Sequence, residues 1–223
     1  MGTAERIERE RQEKRARILD AARELFVEKG VEAVTLREIA QRIEYSTTAI
    51  YVQFKDKAAL VDAMVAEDFA QFAASLATAA GVVDPVERIG VLQDAYVEFA
   101  LRMPRHYQLL FLTPPVHTTK APPPTDATPA GMESYNLLLD TVRECIATQR
   151  FREELTDVDA VAQTVWASVH GMVSLQIVLG HYPEFHWAPR KKLERTSYDM
   201  LLHGLLREPR EPRESREPRK KSR

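Results

Sequence analysis

The chain of 223 residues is 44% hydrophobic and 29% charged, which is enough material for one or two domains with their own cores. Its 31 Lys+Arg and 33 Asp+Glu give a formal net charge of −2, which argues against a protein that merely coats nucleic acid or a membrane. The single cysteine excludes an internal disulfide framework, and residues 1–17 lack the apolar stretch of a signal peptide. We therefore expect a soluble, cytoplasmic protein.

Charge is distributed unevenly along the chain. Residues 1–57 hold twelve Lys+Arg against eleven Asp+Glu, residues 58–206 hold eleven against eighteen, and residues 207–223 hold eight against four. The last segment repeats Arg-Glu-Pro and contains no hydrophobic residue, so we expect a disordered basic tail. The alternative is a tail that adds loose, salt-sensitive affinity for DNA. These boundaries predict a head (1–57), a body (58–206) and a tail (207–223).

Three helices are predicted in the head, of which the second and third are short. The first has one apolar face and ends at Lys29-Gly30, and the second begins with a capping box in which Thr35 and Glu38 exchange hydrogen bonds. Ser46 is a good N-cap for a third helix that ends at Tyr51 or Phe54. Two short helices joined by a tight turn predict a helix-turn-helix. Its second helix offers short polar groups and an aromatic ring to a DNA groove, namely Thr47, Thr48, Tyr51 and Gln53. Lys55 and Lys57 lie just beyond this helix.

The head resembles the TetR-type transcriptional regulators. The matching motifs are Ile18–Phe26, Gly30, Thr35–Ala40 and Ala49–Leu60, in the same order and at the same spacing. The resemblance implies that Thr35 and Arg37 lie near DNA at the start of the second helix and that Lys57 holds a phosphate. It also implies that basic residues such as Lys14 and Arg15 reach the DNA backbone, and that the recognition helix presents Ser46, Thr48, Tyr51 and Gln53.

The turn departs from this resemblance at one position. Glu44 stands where the family usually has glycine, so its backbone must adopt an unfavourable conformation or the turn must change shape. The same residue brings a negative charge close to DNA.

The body is predicted to be helical throughout, so that the chain is all-α with about nine helices. Helices are expected from Lys57 to about Gly81, from Pro85 to Met103 with a short continuation after Pro104, from about Pro129 to Arg150, and from about Pro189 to Leu206. Between Thr113 and Pro129, six prolines predict a surface loop.

The segment from Ala160 to Gly180 contains no Asp, Glu, Lys or Arg, so a membrane span has to be considered. Its polar side chains, among them Gln163, His170 and Gln176, would be costly in lipid, and we favour a helix buried in protein. Because this helix and the last one are apolar on more than one face, we expect them to form a homodimer interface, as the last two helices do in TetR-like proteins.

The run Trp166 to Gly171 resembles the Trp-x-x-x-His-Gly signature of the WHG subgroup of TetR-like C-terminal domains. Core packing is the favoured interpretation of Trp166 and His170, with Gly171 allowing close approach of a helix. Direct contact with a ligand is the alternative.

These patterns predict a homodimeric, ligand-responsive regulator of transcription, most simply a repressor that a small apolar molecule releases from double-stranded operator DNA. No metal spacing, phosphate loop or nucleophile motif is present, so we expect neither an enzyme nor a cofactor. The alternative function is a helical dimer that binds small molecules or proteins without specific DNA binding. The expected ligand pocket consists of aromatic and sulfur-containing side chains in the body with one histidine: Tyr96, Phe99, Met103, Tyr107, Phe111, Tyr135, Trp166 and His170.

Overall fold

The computed structural model describes residues 2–113 and 130–207. Apart from Thr113 and Arg207, the proline-rich loop and the basic tail predicted above lie outside these residues.

Nine α-helices form the described part of the chain, which confirms the predicted all-α fold. A 3₁₀ turn at Ala77–Gly81 follows the fourth helix, and a π-helical turn at Gln108–Leu112 follows the sixth. The described residues contain no β-strand, although Phe151 and Leu206 form an isolated antiparallel bridge. The helices are α1 Thr3–Lys29, α2 Leu36–Arg42, α3 Thr47–Gln53, α4 Lys57–Leu76, α5 Pro85–Arg102, α6 Pro104–Tyr107, α7 Ala130–Ala147, α8 Val158–Leu179 and α9 Arg190–Leu205.

Helix α1 begins much earlier than its apolar face indicates, because the charged N-terminal arm is itself helical. Within the arm, ion pairs one turn apart join Arg6 to Glu10 and Glu8 to Arg11. These side chains are exposed. The extended part of α1 is therefore stabilised by local ion pairs and not by burial.

One apolar cluster, the head core, holds α1 to α3 together. It contains Ile18 and Phe26 of α1, Ile39 of α2 and Ile50 of α3, all of which are almost completely buried. The start of α4 contributes to the same cluster through three further side chains, Leu60, Val61 and Met64. Helix α4 therefore belongs to both the head core and the body, and the boundary at residue 57 stays a prediction.

The body has two apolar clusters that continue one another along the helices. One packs α4, α5, α6 and α8 around Phe72, Tyr96, Tyr107 and Val173. The other packs α5, α7, α8 and α9 around Val142 and the buried Cys145. Burial raises the pKa of the Cys145 thiol to about 12, so this cysteine is an inert core residue at neutral pH.

A buried ion pair ties the head to the body. Arg23 of α1 donates to both carboxylate oxygens of Asp68 on α4, with Nη2 to Oδ1 at 2.7 Å and Nε to Oδ2 at 3.2 Å. The side chains of Arg23 and Asp68 are 4% and 1% exposed. Asp20 completes the arrangement by accepting from Nη1 of Arg23 at 2.6 Å.

Within residues 2–113 and 130–207, none of the helices combines the length and hydropathy that crossing a bilayer requires.

We expect Arg23→Met to lower the free energy of unfolding by about 3–5 kcal/mol, because it leaves Asp68 buried without its cation. Adding Asp68→Leu should recover at least half of this loss, since an apolar pair replaces the ionic one. Urea unfolding at a fixed protein concentration measures both effects.

The matched control is Arg6→Met, which removes an exposed ion pair and should change stability by less than about 0.5 kcal/mol. Equal effects of Arg23→Met and Arg6→Met would contradict a structural role for the buried pair.

Candidate functional site

The predicted capping box starts α2. The Thr35 hydroxyl accepts the backbone N–H of Glu38 at 3.2 Å, and the Glu38 carboxylate accepts the backbone N–H of Thr35 at 2.9 Å. The hydrogen bond from the Thr35 N–H, together with donation from Lys29 and from the Thr35 hydroxyl, lowers the pKa of the Glu38 carboxyl group. The carboxylate therefore stays charged at the N-terminus of α2, where the helix dipole also favours it.

A Schellman motif ends α2 and forms the turn. Tyr45 N–H donates to the Ala40 carbonyl at 2.8 Å, and Glu44 N–H donates to the Gln41 carbonyl at 3.2 Å. The motif requires one residue in the left-handed conformation, and Glu44 adopts that conformation with φ of 58°. The turn thus keeps its helix-turn-helix shape, and Glu44 bears the conformational cost expected of a non-glycine residue.

Helix α3 exposes one polar face while its other face is anchored in the head core. Ser46 caps it by accepting the Ala49 N–H at 3.2 Å, as predicted. Ile50 and, just after the helix, Phe54 are buried. Tyr51 and Val52 point outward and are 55% and 76% exposed.

None of the side chains predicted to contact DNA is buried. Exposed side chains are Thr35, Arg37, Ser46, Thr48 and Tyr51, and half-buried ones are Thr47, Gln53 and Lys57. Lys57 lies in the first turn of α4, where its Nζ donates to the Glu32 carbonyl at 3.2 Å. Their roles in DNA binding stay predictions.

The implied role of Arg15 as a DNA contact stays a prediction, although its guanidinium is engaged within the protein. Arg15 lies within α1, where its guanidinium donates to Oε1 of Glu67 at 2.9 Å and stacks 4.8 Å above the Phe54 ring. Its charge is therefore directed toward α4 and the head core. Lys14 stays exposed on α1.

A large cavity lies in the body between α4, α5, α7 and α8, and the π-helical turn closes part of it. Its volume is about 1130 Å³. Most of its wall is apolar, which is typical of a site for a small lipophilic molecule. Residues 2–113 and 130–207 contain no cluster of three or more His, Cys, Asp or Glu that could hold a metal ion.

Four of the eight predicted pocket residues line this cavity, namely Tyr96, Phe111, Tyr135 and Trp166. The other four do not line it. Phe99 packs behind Phe72, Tyr107 is fully buried, and Met103 and His170 lie outside the wall. Sequence reasoning missed the wall of α4, which consists of Asp62, Val65, Ala66, Phe69, Phe72 and Leu76.

A hydrogen-bond network stands directly behind the cavity wall. Trp166 Nε1 donates to Tyr96 Oη at 3.2 Å, and His170 Nδ1 lies 2.9 Å from Tyr96 Oη and 2.7 Å from Tyr107 Oη. Burial lowers the pKa of His170 and raises the pKa values of both tyrosines, so all three groups are neutral at pH 7. The predicted core role of Trp166 and His170 thus applies to His170, whereas Trp166 also faces the cavity.

Helix α6 connects the cavity wall to the head. Arg105 Nη1 donates to Glu24 of α1 at 2.7 Å, and His106 Nε2 lies 3.8 Å from Asp68. Burial, reinforced by the positive charge of Arg23, lowers the pKa of His106 to about 4. Phe111 follows in the π-helical turn and forms part of the cavity wall.

One face of α8 has no partner among the described residues. It consists of small and apolar side chains at helical spacing, of which Leu175 and Val178 are 50% and 47% exposed. Gly171 lies on this face, and a Cβ atom placed there would meet no atom within 4 Å. The expectation that Gly171 allows close approach of another helix is therefore wrong for the single chain. On α9, Met200 is 72% exposed.

The head and the body together define a helical regulator with a helix-turn-helix and a separate cavity. A model described as "Bacterial regulatory proteins, tetR family" matches residues 18–64, and one described as "Tetracyclin repressor-like, C-terminal domain" matches residues 91–205. The chain belongs to the TetR family. This membership confirms the prediction of a regulator rather than an enzyme. The WHG subgroup stays a prediction.

Among individual proteins, the HTH-type transcriptional repressor Rv1474c of Mycobacterium tuberculosis is 40% identical over 81 residues, which are 36% of this chain and 40% of that protein. The chain spans less than half of the length of the curated relatives that it matches.

Solved structures match over most of the chain. A protein from Rhodococcus sp. RHA1 has a TM-score of 0.65 and 26% identity, covering 87% of this chain and 96% of that one. The fold also matches that of FadR from Bacillus subtilis in complex with stearoyl-CoA, with a TM-score of 0.65, 17% identity and coverage of 85% and 98%.

Glu44→Gly should raise the free energy of unfolding by about 0.5–1 kcal/mol, because glycine adopts the left-handed conformation without steric cost but loses more entropy on folding. Glu44→Gln removes the charge and keeps the strained backbone, so its stability should change by less than about 0.5 kcal/mol. Urea midpoints compare the two variants. A glycine variant no more stable than the glutamine variant would show that the turn carries no strain.

Proposed function

We propose that this chain is a homodimeric, DNA-binding repressor that a small apolar molecule releases from its operator. The observation that carries the proposal is the polar, exposed face of α3, held rigidly over the head core beside the exposed start of α2. A helix presented in this way fits the major groove, where short polar side chains contact phosphates and base edges. Tyr51, 55% exposed, presents the largest exposed side chain of α3.

Dimerisation through α8 and α9 is supported by the unpaired apolar surface of both helices. Leu175 and Val178 on α8 and Met200 on α9 expose about half or more of their side chains. Gly171 leaves room for a second helix at short distance. Two copies related by a two-fold axis would bury this surface and set the separation of the two α3 helices, which must match half-sites about 34–36 Å apart.

Coupling between the cavity and DNA would run through α6. A molecule that presses on Phe111 acts on the segment in which Arg105 and His106 lie five to six residues earlier. Arg105 contacts Glu24 of α1, and His106 contacts Asp68, which holds Arg23. Ligand binding would therefore favour one orientation of the head over another, and release follows when that orientation misses the half-site spacing.

Ligand binding in this fold has a precedent in the FadR structure, which contains stearoyl-CoA. The cavity of about 1130 Å³ here has the size and the apolar wall that a lipophilic molecule needs. We propose that this cavity is the effector site.

The alternative function, a helical dimer without specific DNA binding, is favoured by Glu44. Its carboxylate is exposed in the turn before α3 and would repel phosphates. Salt dependence separates the two functions, because a repressor that contacts phosphates loses affinity steeply as salt rises. A dimer that only sequesters small molecules shows no such DNA affinity.

We expect the protein to shift a DNA fragment that carries the promoter region next to its own gene. Tyr51→Ala should weaken this binding at least tenfold, because it removes the largest exposed group of α3. Mobility-shift titrations at 50 and 200 mM salt measure the affinity and its salt dependence.

The matched control is Tyr182→Ala, which removes a comparably exposed tyrosine from the segment between α8 and α9 and should bind DNA like the parent. The proposal fails if no such DNA shifts at low salt, or if Tyr51→Ala binds as well as the parent.

Leu175→Arg should convert the dimer into a monomer, because a guanidinium without a partner would be buried at the interface. Sedimentation velocity at micromolar concentration measures the change in mass. Val83→Arg is the matched control, since Val83 is 88% exposed before α5 and lies on neither interface helix. A monomeric parent, or a Leu175→Arg variant that stays dimeric, would exclude this interface.

A further inference from the structure

The hydroxyl and indole groups of the cavity wall fall into two sets that differ in their hydrogen bonding. At the Tyr96 side, Trp166 Nε1 and Tyr96 Oη bond to each other and to the network behind them. On α7, the hydroxyls of Ser134 and Tyr135 are buried and have no hydrogen-bond partner among the described residues. Both residues line the cavity, and Ser134 is only 7% exposed.

Unpaired buried hydroxyls are rare in folded proteins, so each one needs an explanation. Ser134 and Tyr135 are consecutive residues of α7, and both side chains line the cavity. Gln93 of α5, 6% exposed, adds an amide to the same cavity, and α5 packs against α7. These groups can donate hydrogen bonds to an oxygen atom of a bound molecule.

The charges of the wall restrict that molecule further. Among the described lining residues there is no lysine, arginine or histidine, and the one charged side chain is the acid Asp62. A buried anion without a cation nearby is strongly disfavoured. The wall that the structure describes therefore suits an oxygen that carries no charge, such as that of an ester, ketone or alcohol.

We propose that the cavity selects a lipophilic molecule whose buried end is an uncharged oxygen acceptor bound by Ser134 and Tyr135. This inference rests on the proposed function only in taking the cavity as the effector site. Preference for an uncharged oxygen distinguishes this site from one that binds the carboxylate of a fatty acid.

The test compares two probes with the same acyl chain, methyl decanoate and decanoate, by calorimetric titration at pH 7.5 without DNA. The ester should bind at least tenfold more tightly than the carboxylate. Tyr135→Phe and Ser134→Ala should each weaken ester binding about five- to tenfold, because each removes one donor. Tyr182→Phe, the matched control outside the cavity, should leave ester affinity unchanged.

Thermal unfolding of the ligand-free variants separates a binding role from a structural one. Tyr135→Phe should unfold at the same temperature as the parent or higher, because it removes a hydroxyl that has no partner in the free protein. A clear loss of stability would mean that the hydroxyl is already bonded and would overturn the proposal.

The proposal is also overturned if decanoate binds as tightly as the ester, if neither probe binds, or if both cavity variants keep full ester affinity. These outcomes are independent of the repressor function, because no DNA is present. A protein that binds the ester as expected but never shifts DNA would keep this inference and lose the proposed function.

Discussion

The buried pair of Arg23 and Asp68 is the interaction on which the arrangement of head and body depends. Two opposite charges removed from water are costly unless each keeps its partner, so α1 and α4 are held in one relative position. Asp20 and His106 surround the same pair from α1 and α6. The junction is consequently polar and specific, whereas the surfaces on either side of it are apolar.

The apolar clusters have the opposite character, since they tolerate rearrangement better than a buried charge does. The head core consists mainly of aliphatic side chains, with Phe26 and Phe54 as its buried aromatic members. The body instead contains aromatic rings that contact one another edge to face, such as Phe72 with Tyr96 and Phe111, around a space that remains open. A rigid junction next to an adaptable cavity is what a protein needs if it is to convert binding into a change of orientation.

Local features of this fold could be predicted from sequence, because short-range rules determine them. The capping box of Thr35 and Glu38, the cap at Ser46 and the first turn at Pro85 all follow from neighbouring residues. Contacts between residues far apart in the sequence could not be predicted in this way. Tyr107 and His170 are 63 positions apart, and no period in the sequence indicates that they meet.

The cavity wall on α4 illustrates the same limit. Phe69, Phe72 and Leu76 recur at helical spacing, and this pattern is identical for a side chain in a filled core and one that faces an open space. The helical arm was missed for the converse reason, because its charged residues present no apolar face to detect.

That arm has a mechanical consequence. From Arg23 back to Thr3, α1 runs without a break for about 30 Å at the usual rise of about 1.5 Å per residue. A tilt of about 10° around Arg23 would therefore move the free end by about 5 Å. A rotation of the head about the junction would therefore displace the N-terminal end of α1 several times further than it displaces Arg23 and its partners.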